Sequence, residues 1–290
     1  MGDLMRCGVM GAVMALGVGI SAGGAWGAGK SQYSHFNPTP DRLMREMTTD
    51  RPDTTETPFT IDAGHVQIES TAFGFARSHA DAAGGVLDAY EVWASNVRIG
   101  LTNNAEINFV WQPYGKTRYR QPGAATETAS GTGGLDIRAK VNLWGNDDFE
   151  RQGSALALLP FITLPTDARN GISPEHVEGG LLVPLEIALP HNFGIGLNGR
   201  VAWVRGEASE RYNAEYLGTA ALSYDWTNTF GTYGEIVVDY APADQSTAVT
   251  LGGGITYAVT KNLQLDAGVN FGVTSAVDRY NPFIGIATRF

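Results

Sequence analysis

Five histidines, one glycine triplet and one acidic turn are the residues of this chain whose types suit chemistry. Nucleophilic hydrolysis needs a hydroxyl or thiol, a histidine and an orienting group meeting at one point. The histidines are scattered: His35, His65, His79, His176 and His191. Only His65 and His176 fall in segments with strand-like alternation, and those segments place them at opposite ends of the wall they build. Gly194-x-Gly196-x-x-Gly199 spells the dinucleotide fingerprint. That motif requires a helix directly after it, whereas the residues from Arg200 to Arg205 continue a strand pattern. Gly145-Asn146-Asp147-Asp148 offers oxygens to a divalent cation but lacks the spacing of a calcium loop, and reads as a polar turn. The expectation is no catalytic residue, no metal site and no cofactor.

The remaining chemistry lies in charged residues that recur at every second position within apolar runs. Side chains of a strand alternate between two faces, so such a run is a strand with one apolar and one polar surface. Leu135, Ile137, Ala139, Val141 and Leu143 oppose Asp136, Arg138, Lys140 and Asn142. Leu263, Leu265, Ala267, Val269 and Phe271 oppose Gln264, Asp266, Gly268 and Asn270. From Gly64 onward the pattern recurs about twelve times, at the length of tilted membrane-spanning strands. It shifts phase near Phe73, as a β-bulge does, and from Ala155 to Leu164 both faces are apolar.

The connections fall into two populations. Thr102 to Asn104, Pro190 to Asn192, Thr227 to Thr229 and Thr260 to Asn262 are tight turns rich in Asn and Thr. Ser78 to Val86, Thr117 to Gly133, Thr166 to Pro174, Gly206 to Asn213, Pro242 to Thr247 and Ser275 to Arg279 are longer and polar. The two kinds alternate along the chain, with Gly145 to Gly153 a longer member of the first. Short turns at one end and long loops at the other are the connectivity of an outer-membrane barrel.

The ends and the composition agree. Arg6, an apolar run from Cys7 to Ile20, and small residues through Ala28 read as an export signal cleaved after Gly27. The single cysteine, Cys7, lies inside that signal, so the exported chain would hold no disulfide and no cysteine-ligated zinc. After the signal no apolar run is long enough for a membrane-spanning helix. The net charge of −10 speaks against nucleic-acid binding.

The expected fold is therefore all-β: a transmembrane antiparallel β-barrel of about twelve strands. The expected division is a signal peptide over 1–27, a periplasmic N-terminal segment or plug over 28–62, and the barrel over 63–290. The polar faces put Arg98, Glu106, Asp136, Arg138, Lys140, Glu186, Arg200, Asp225, Glu235, Asp239 and Asp266 in the lumen. Trp93, Trp111, Trp203, Trp226, Tyr240 and Tyr257 lie near strand ends, where the aromatic girdles of such barrels sit. The terminal aromatic Phe290 marks an outer-membrane strand and is expected to act as the signal to barrel-assembly machinery. Before the first strand Pro38, Pro40, Pro52 and Pro58 break any ladder, while Asp41 to Met47 suits a short helical turn. Within that segment Asp50, Arg51, Asp53 and Glu56 are candidates to pin it to the barrel or to gate it, and Arg51 is expected to pair with acidic wall residues.

The block Thr49-Asp50-Arg51-Pro52-Asp53-Thr54-Thr55-Glu56-Thr57-Pro58, followed by Gly64-His65-Val66-Gln67-Ile68-Glu69-Ser70, resembles the opening of the MetA-pathway-of-phenol-degradation family. Gly100-Leu101-Thr102 and Leu164-Pro165-Thr166 extend the resemblance along the chain. It implies an outer-membrane barrel that passes small, often aromatic or hydrophobic, compounds. The reading from sequence is thus a passive channel in the outer membrane of a Gram-negative bacterium, not an enzyme, with membrane lipids and a small solute as partners. Two alternatives stay open. One is a structural or surface-binding barrel acting through Thr117 to Gly133; the other is a hydrolase using a Ser or Thr near His65 or His176.

Overall fold

The computed structural model describes residues 30–167, 172–205 and 211–290. The export signal expected over residues 1–27 lies outside the described residues, as does most of the expected loop from Gly206 to Asn213. Fifteen strand segments follow one another: β1 (Val66–Arg77), β2 (Val86–Val92), β3 (Ala94–Thr102), β4 (Ala105–Trp111), β5 (Tyr114–Arg120), β6 (Glu127–Gly131), β7 (Leu135–Trp144), β8 (Ser154–Leu164), β9 (Glu178–Leu189), β10 (Phe193–Val204), β11 (Asn213–Asp225), β12 (Phe230–Ala241), β13 (Ser246–Thr260), β14 (Leu263–Gly272) and β15 (Tyr280–Arg289). The one α-helix among the described residues, α1 (Phe149–Gln152), sits in the connection between β7 and β8.

Three pairs of segments are halves of single long strands. β1 pairs with β3 from Val66 to Thr71 and with β2 from Gly74 to Arg77, so β2 and β3 form one strand broken at Trp93, whose φ is 56°. β4 and β5 are likewise broken at Gln112–Pro113, where proline cannot donate to a ladder. β6 and β7 are broken over 132–134. The barrel therefore has twelve strands, and β15 pairs with β1 from Gln67↔Arg289 to Arg77↔Tyr280 to close it. Every pairing is antiparallel. Closure satisfies the backbone donors and acceptors of every strand, the condition for β structure to exist in hydrocarbon. The phase shift expected near Phe73 is a register shift between Thr71 and Phe73 in the β1–β15 pairing.

The two faces sort as the alternation requires. Leu222, Ile236, Leu251, Ile255, Leu265, Phe271 and Ile284 are exposed on the outside, an arrangement that hydrocarbon favours and water does not. Aromatics ring both ends of this surface: Trp93, Trp111, Trp203, Tyr216 and Tyr240 beside the long loops, Trp144, Trp226 and Tyr257 beside the short turns. Phe193 and Trp203 mark the two ends of β10, ten positions apart. At ~3.4 Å per residue and a strand tilt of ~40° they stand roughly 25 Å apart along the barrel axis, the height of an apolar band.

Two expectations are corrected. Thr117 to Gly133 is not an open loop: Thr117 to Arg120 and Glu127 to Gly131 are paired in a hairpin, leaving only 121–126 as its tip. Charged residues alternate there with Thr117 and Tyr119, and a charged outward face looks like a loop when apolar alternation is the signal sought. His65 and His176 also lie just outside β1 and β9 rather than on strands. His65 is held by backbone: its ring nitrogens are 2.7 Å from Thr39 O and 3.0 Å from Phe290 O.

Candidate functional site

Residues 30–65 enter the barrel from the short-turn end, reverse inside it and return to β1 at the same end. Two features fix the entrance. Ser34 forms a bridge with Thr102, and the His35 amide donates to Leu101 O at 2.8 Å. Lys30 then reaches Asp62 (3.3 Å) and Asp147 (2.9 Å), while Arg45 reaches Asp147 (3.0 Å) and Asn103 Oδ1 (3.0 Å). Asp147 is held below its ordinary value although burial opposes this, because Asn103, Arg45 and Lys30 favour its charge. The expected short helical turn is a 3-10 turn at Asp41–Leu43.

The tip of the segment is closed by its own side chain: Asp50 Oδ1 accepts from Thr57 N (3.1 Å) and Thr57 Oγ1 (3.0 Å). This stretch has no ladder, so its amides and carbonyls need partners where little water reaches them. Wall side chains supply them. Glu69 accepts from Asp50 N (2.9 Å), Glu235 from Thr54 N (3.0 Å) and Thr55 N (2.7 Å), Glu106 from Ile61 N (2.5 Å), and Asn198 from Glu56 N (2.9 Å). In the other direction Arg98 donates to Phe59 O (2.7 Å), Asn142 to Pro58 O (2.9 Å) and Gln67 to Thr48 O (2.8 Å). The wall carboxylates thus do the work that a neighbouring strand would do elsewhere.

Ion pairs lock the same contact. Arg98, fully buried, lies 2.9 Å from both Glu69 and Glu106 and 3.3 Å from Asp50. Lys140, also fully buried, lies 2.6 Å from Asp50. Two cations and three carboxylates form one cluster, in which the loss of either cation strands charge without water. Arg51 crosses the lumen to Asp266 at 2.8 Å and donates to Thr71 Oγ1 at 2.5 Å. Its guanidinium packs directly against Gly285, where an added Cβ would make it shift. Glu56 pairs with Arg138, which also holds Asp136 at 2.6 Å.

The residues expected in the lumen all face inward, but they divide by task. Arg98, Glu106, Asp136, Arg138, Lys140, Glu235 and Asp266 touch the inserted segment or its immediate partners. Arg200 and Asp239 pair with one another at 3.1 Å, nearer the long loops. Glu186 and Asp225 do neither. They line a gap on the other side of the segment, where the wall is made of small residues.

That gap begins as a cavity of about 1160 Å³ at the short-turn end, bounded by Met44, Met47, Lys261 and Arg289 among others. It continues into a cavity of about 150 Å³ beside Arg51, Pro52 and Asp53. The two share Glu186, Ser223, Asp225, Gly231 and Thr256 as lining. Asp53 faces the narrow part, and its pKa is pushed well above the ordinary 3.8, first by burial and then by the charge of Glu235. Glu186, Asp225 and Asp53 have no cation within ion-pair distance among the described residues. Among the described residues there is also no group of three or more His, Cys, Asp or Glu able to hold a metal ion.

Gln67, Glu69, Asn198, Lys30, Arg45 and Asp62 were not among the expected lumen or pinning residues, and Asn142, Asn146 and Asp147 were expected only as polar-face or turn residues. Gln67 and Glu69 share an inward parity and were legible on that ground. The asparagines carry no charge, and the entrance latch depends on a chain reversal that periodicity does not encode.

The sequence matches the family model described as "Putative MetA-pathway of phenol degradation" over residues 49–290. No curated protein matches it. Among solved structures it is similar to the NanC porin, at 10% identity over 77% of this chain and 98% of that one, with a TM-score of 0.46. It is also similar to the transport unit of the autotransporter AIDA-I from Escherichia coli, at 10% identity over 78% and 90%, with a TM-score of 0.49. A third likeness is to an anion-selective porin from Comamonas acidovorans, at 10% identity over 78% and 98%, with a TM-score of 0.40. The fold rests on the strand pairing described above rather than on these likenesses. With its motif-bearing segment seated in the lumen and its barrel wall both inside the matched span, the chain belongs to the family of the phenol-degradation MetA pathway.

Proposed function

We propose that the protein is a passive channel of the Gram-negative outer membrane, with its inserted N-terminal segment acting as a fixed constriction. The exterior apolar band, the two aromatic rings and the closed ladder support the membrane placement. The observation that carries the channel reading is the gap between the segment and β9–β13, a cavity of about 1160 Å³ open at the short-turn end that shares five lining residues with a cavity of about 150 Å³ beside the segment's tip. On this reading solutes of the scale of a single ring or an amino acid pass beside the segment and larger ones are excluded.

Selectivity follows from the lining. Gly196, Ala221 and Gly231 keep the wall low, Pro52 and Tyr233 offer apolar faces, and Glu186 and Asp225 supply unpaired carboxylates. Neutral aromatic compounds and small cations suit this surface, and anions do not. Proteoliposome swelling with arginine, glutamate, glucose and a disaccharide tests the reading. The arginine salt should enter faster than the glutamate salt, with the disaccharide excluded. Exclusion of every solute by folded protein would overturn the channel reading in favour of a structural barrel.

A further inference from the structure

The three breaks at Trp93, Gln112–Pro113 and residues 132–134 lie side by side on adjacent strands, and a groove of about 540 Å³ opens on the membrane side of the wall below them. Its lining is almost wholly apolar: Trp93, Val97, Phe109, Trp111, Pro113 and Leu135. The registers Val97↔Phe109, Phe109↔Ile137 and Trp111↔Leu135 place these residues on the barrel's outer face. The groove is therefore open to hydrocarbon and not to the lumen.

Directly beyond it the hairpin extension sorts its charges by face. Lys116, Arg118 and Arg120 alternate along β5, and Arg118 is paired in register with Asp88 on β2, which in turn is paired with Arg77 on β1. Arg77 shares the parity of Phe73, which is exposed on the outside. The opposite face carries Gly115, closed over by Gln112 and Ile172, and Tyr119, which donates to Asp81. Asp88 is consumed by Arg77 (2.7 Å) and Arg120 (2.5 Å). Lys116 and Arg118 are exposed and have no ion pair among the described residues. A chain of net charge −10 thus gathers four cations against one carboxylate on one outward surface. Pro113 and Lys116 are three residues apart, so the groove ends roughly 10 Å below the first free cation.

We propose that this surface binds a phosphorylated, multiply acylated saccharide lipid of the outer leaflet, with an acyl chain in the groove and phosphates on Lys116 and Arg118. A cationic cluster above an apolar cleft complements an anionic headgroup above hydrocarbon. A lysine and an arginine with no protein carboxylate to serve are available to phosphate oxygens. The aromatic residues Trp93 and Trp111 sit at the level where headgroup meets acyl chain. The inference rests on the membrane placement proposed above but not on conduction.

The test uses the full processed chain in detergent, with bis-phosphorylated hexa-acyl lipid A as probe, read by native mass spectrometry. Phosphatidylglycerol and the deacylated phosphosaccharide serve as comparisons. Lipid A should bind at least tenfold more tightly than either comparison, and Lys116→Gln with Arg118→Gln should weaken it about tenfold. Trp111→Ala should weaken lipid A and leave the deacylated headgroup unaffected. Heat-modifiable migration on a gel verifies that each variant is folded. Equal binding of phosphatidylglycerol, or a double variant that binds like the original chain, would overturn the proposal. Solute entry in the swelling assay is read separately, so loss of lipid recognition with retained entry condemns this site alone.

Discussion

Arg98 is the side chain on which the inserted segment most depends. It serves Glu69, Glu106 and the carbonyl of Phe59 at once, with no exposed surface. Arg98→Ala should destabilise the protein by about 3–5 kcal/mol, because it leaves buried carboxylates unpaired. Urea unfolding followed by tryptophan fluorescence measures it. Lys140→Met should act in the same direction by releasing Asp50. Two other carboxylates set opposing pH limits on docking of the segment. Asp53 has a docked pKa above its ordinary value, so its contribution is full below about 3.8 and is lost as pH rises through the docked value. Asp147 has a lowered docked pKa, so its contribution is present above its ordinary value and is lost as pH falls through the docked one. Protection factors for amides 50–57 should therefore fall on both the alkaline and the acidic side. Flat protection across that range would contradict the assignment. Alternation placed the charged wall residues inward, since parity is a property of each strand alone. It did not show that Arg51 runs past Gly285 to Asp266, because that contact joins residues 215 positions apart.

At the scale of elements, the strands were legible where one face is apolar and hidden where both are polar. β14 reads directly from Leu263 to Gly272, whereas β5 and β6 carry Lys116, Arg118, Thr128 and Ser130 on the outward face and look like a loop. Their strand character comes from pairing with β2 and with each other, a tertiary fact. The membrane-facing surface makes a direct demand on the strands. Leu251, exposed near the middle of β13, should accept no charge: Leu251→Arg is expected to cost about 2–4 kcal/mol, the range for a cation near the midplane of a barrel. Arginine at the lumen-facing Thr250 should cost far less. Equilibrium unfolding in lipid vesicles compares the two, and equal costs would mean that β13 does not face hydrocarbon. The entrance latch was the least legible element, for Lys30, Arg45, Asp62 and Asp147 meet only because the chain reverses at Asp50 to Thr57, and that reversal has no periodicity to betray it.

The whole molecule is a closed wall whose inside is divided between a fixed segment and an open gap. The charged lumen serves mainly to hold that segment, through amides as much as through ion pairs, and only Glu186 and Asp225 of the wall residues expected there are left facing the gap. Ions should therefore cross beside the segment and feel those two carboxylates. Reversal potentials of the full chain in planar bilayers under a potassium chloride gradient test this most directly. The account predicts small, discrete, cation-selective steps, with the preference for potassium reduced severalfold in Glu186→Gln with Asp225→Asn. Anion-selective steps, a selectivity untouched by those substitutions, or silence from folded protein would contradict it.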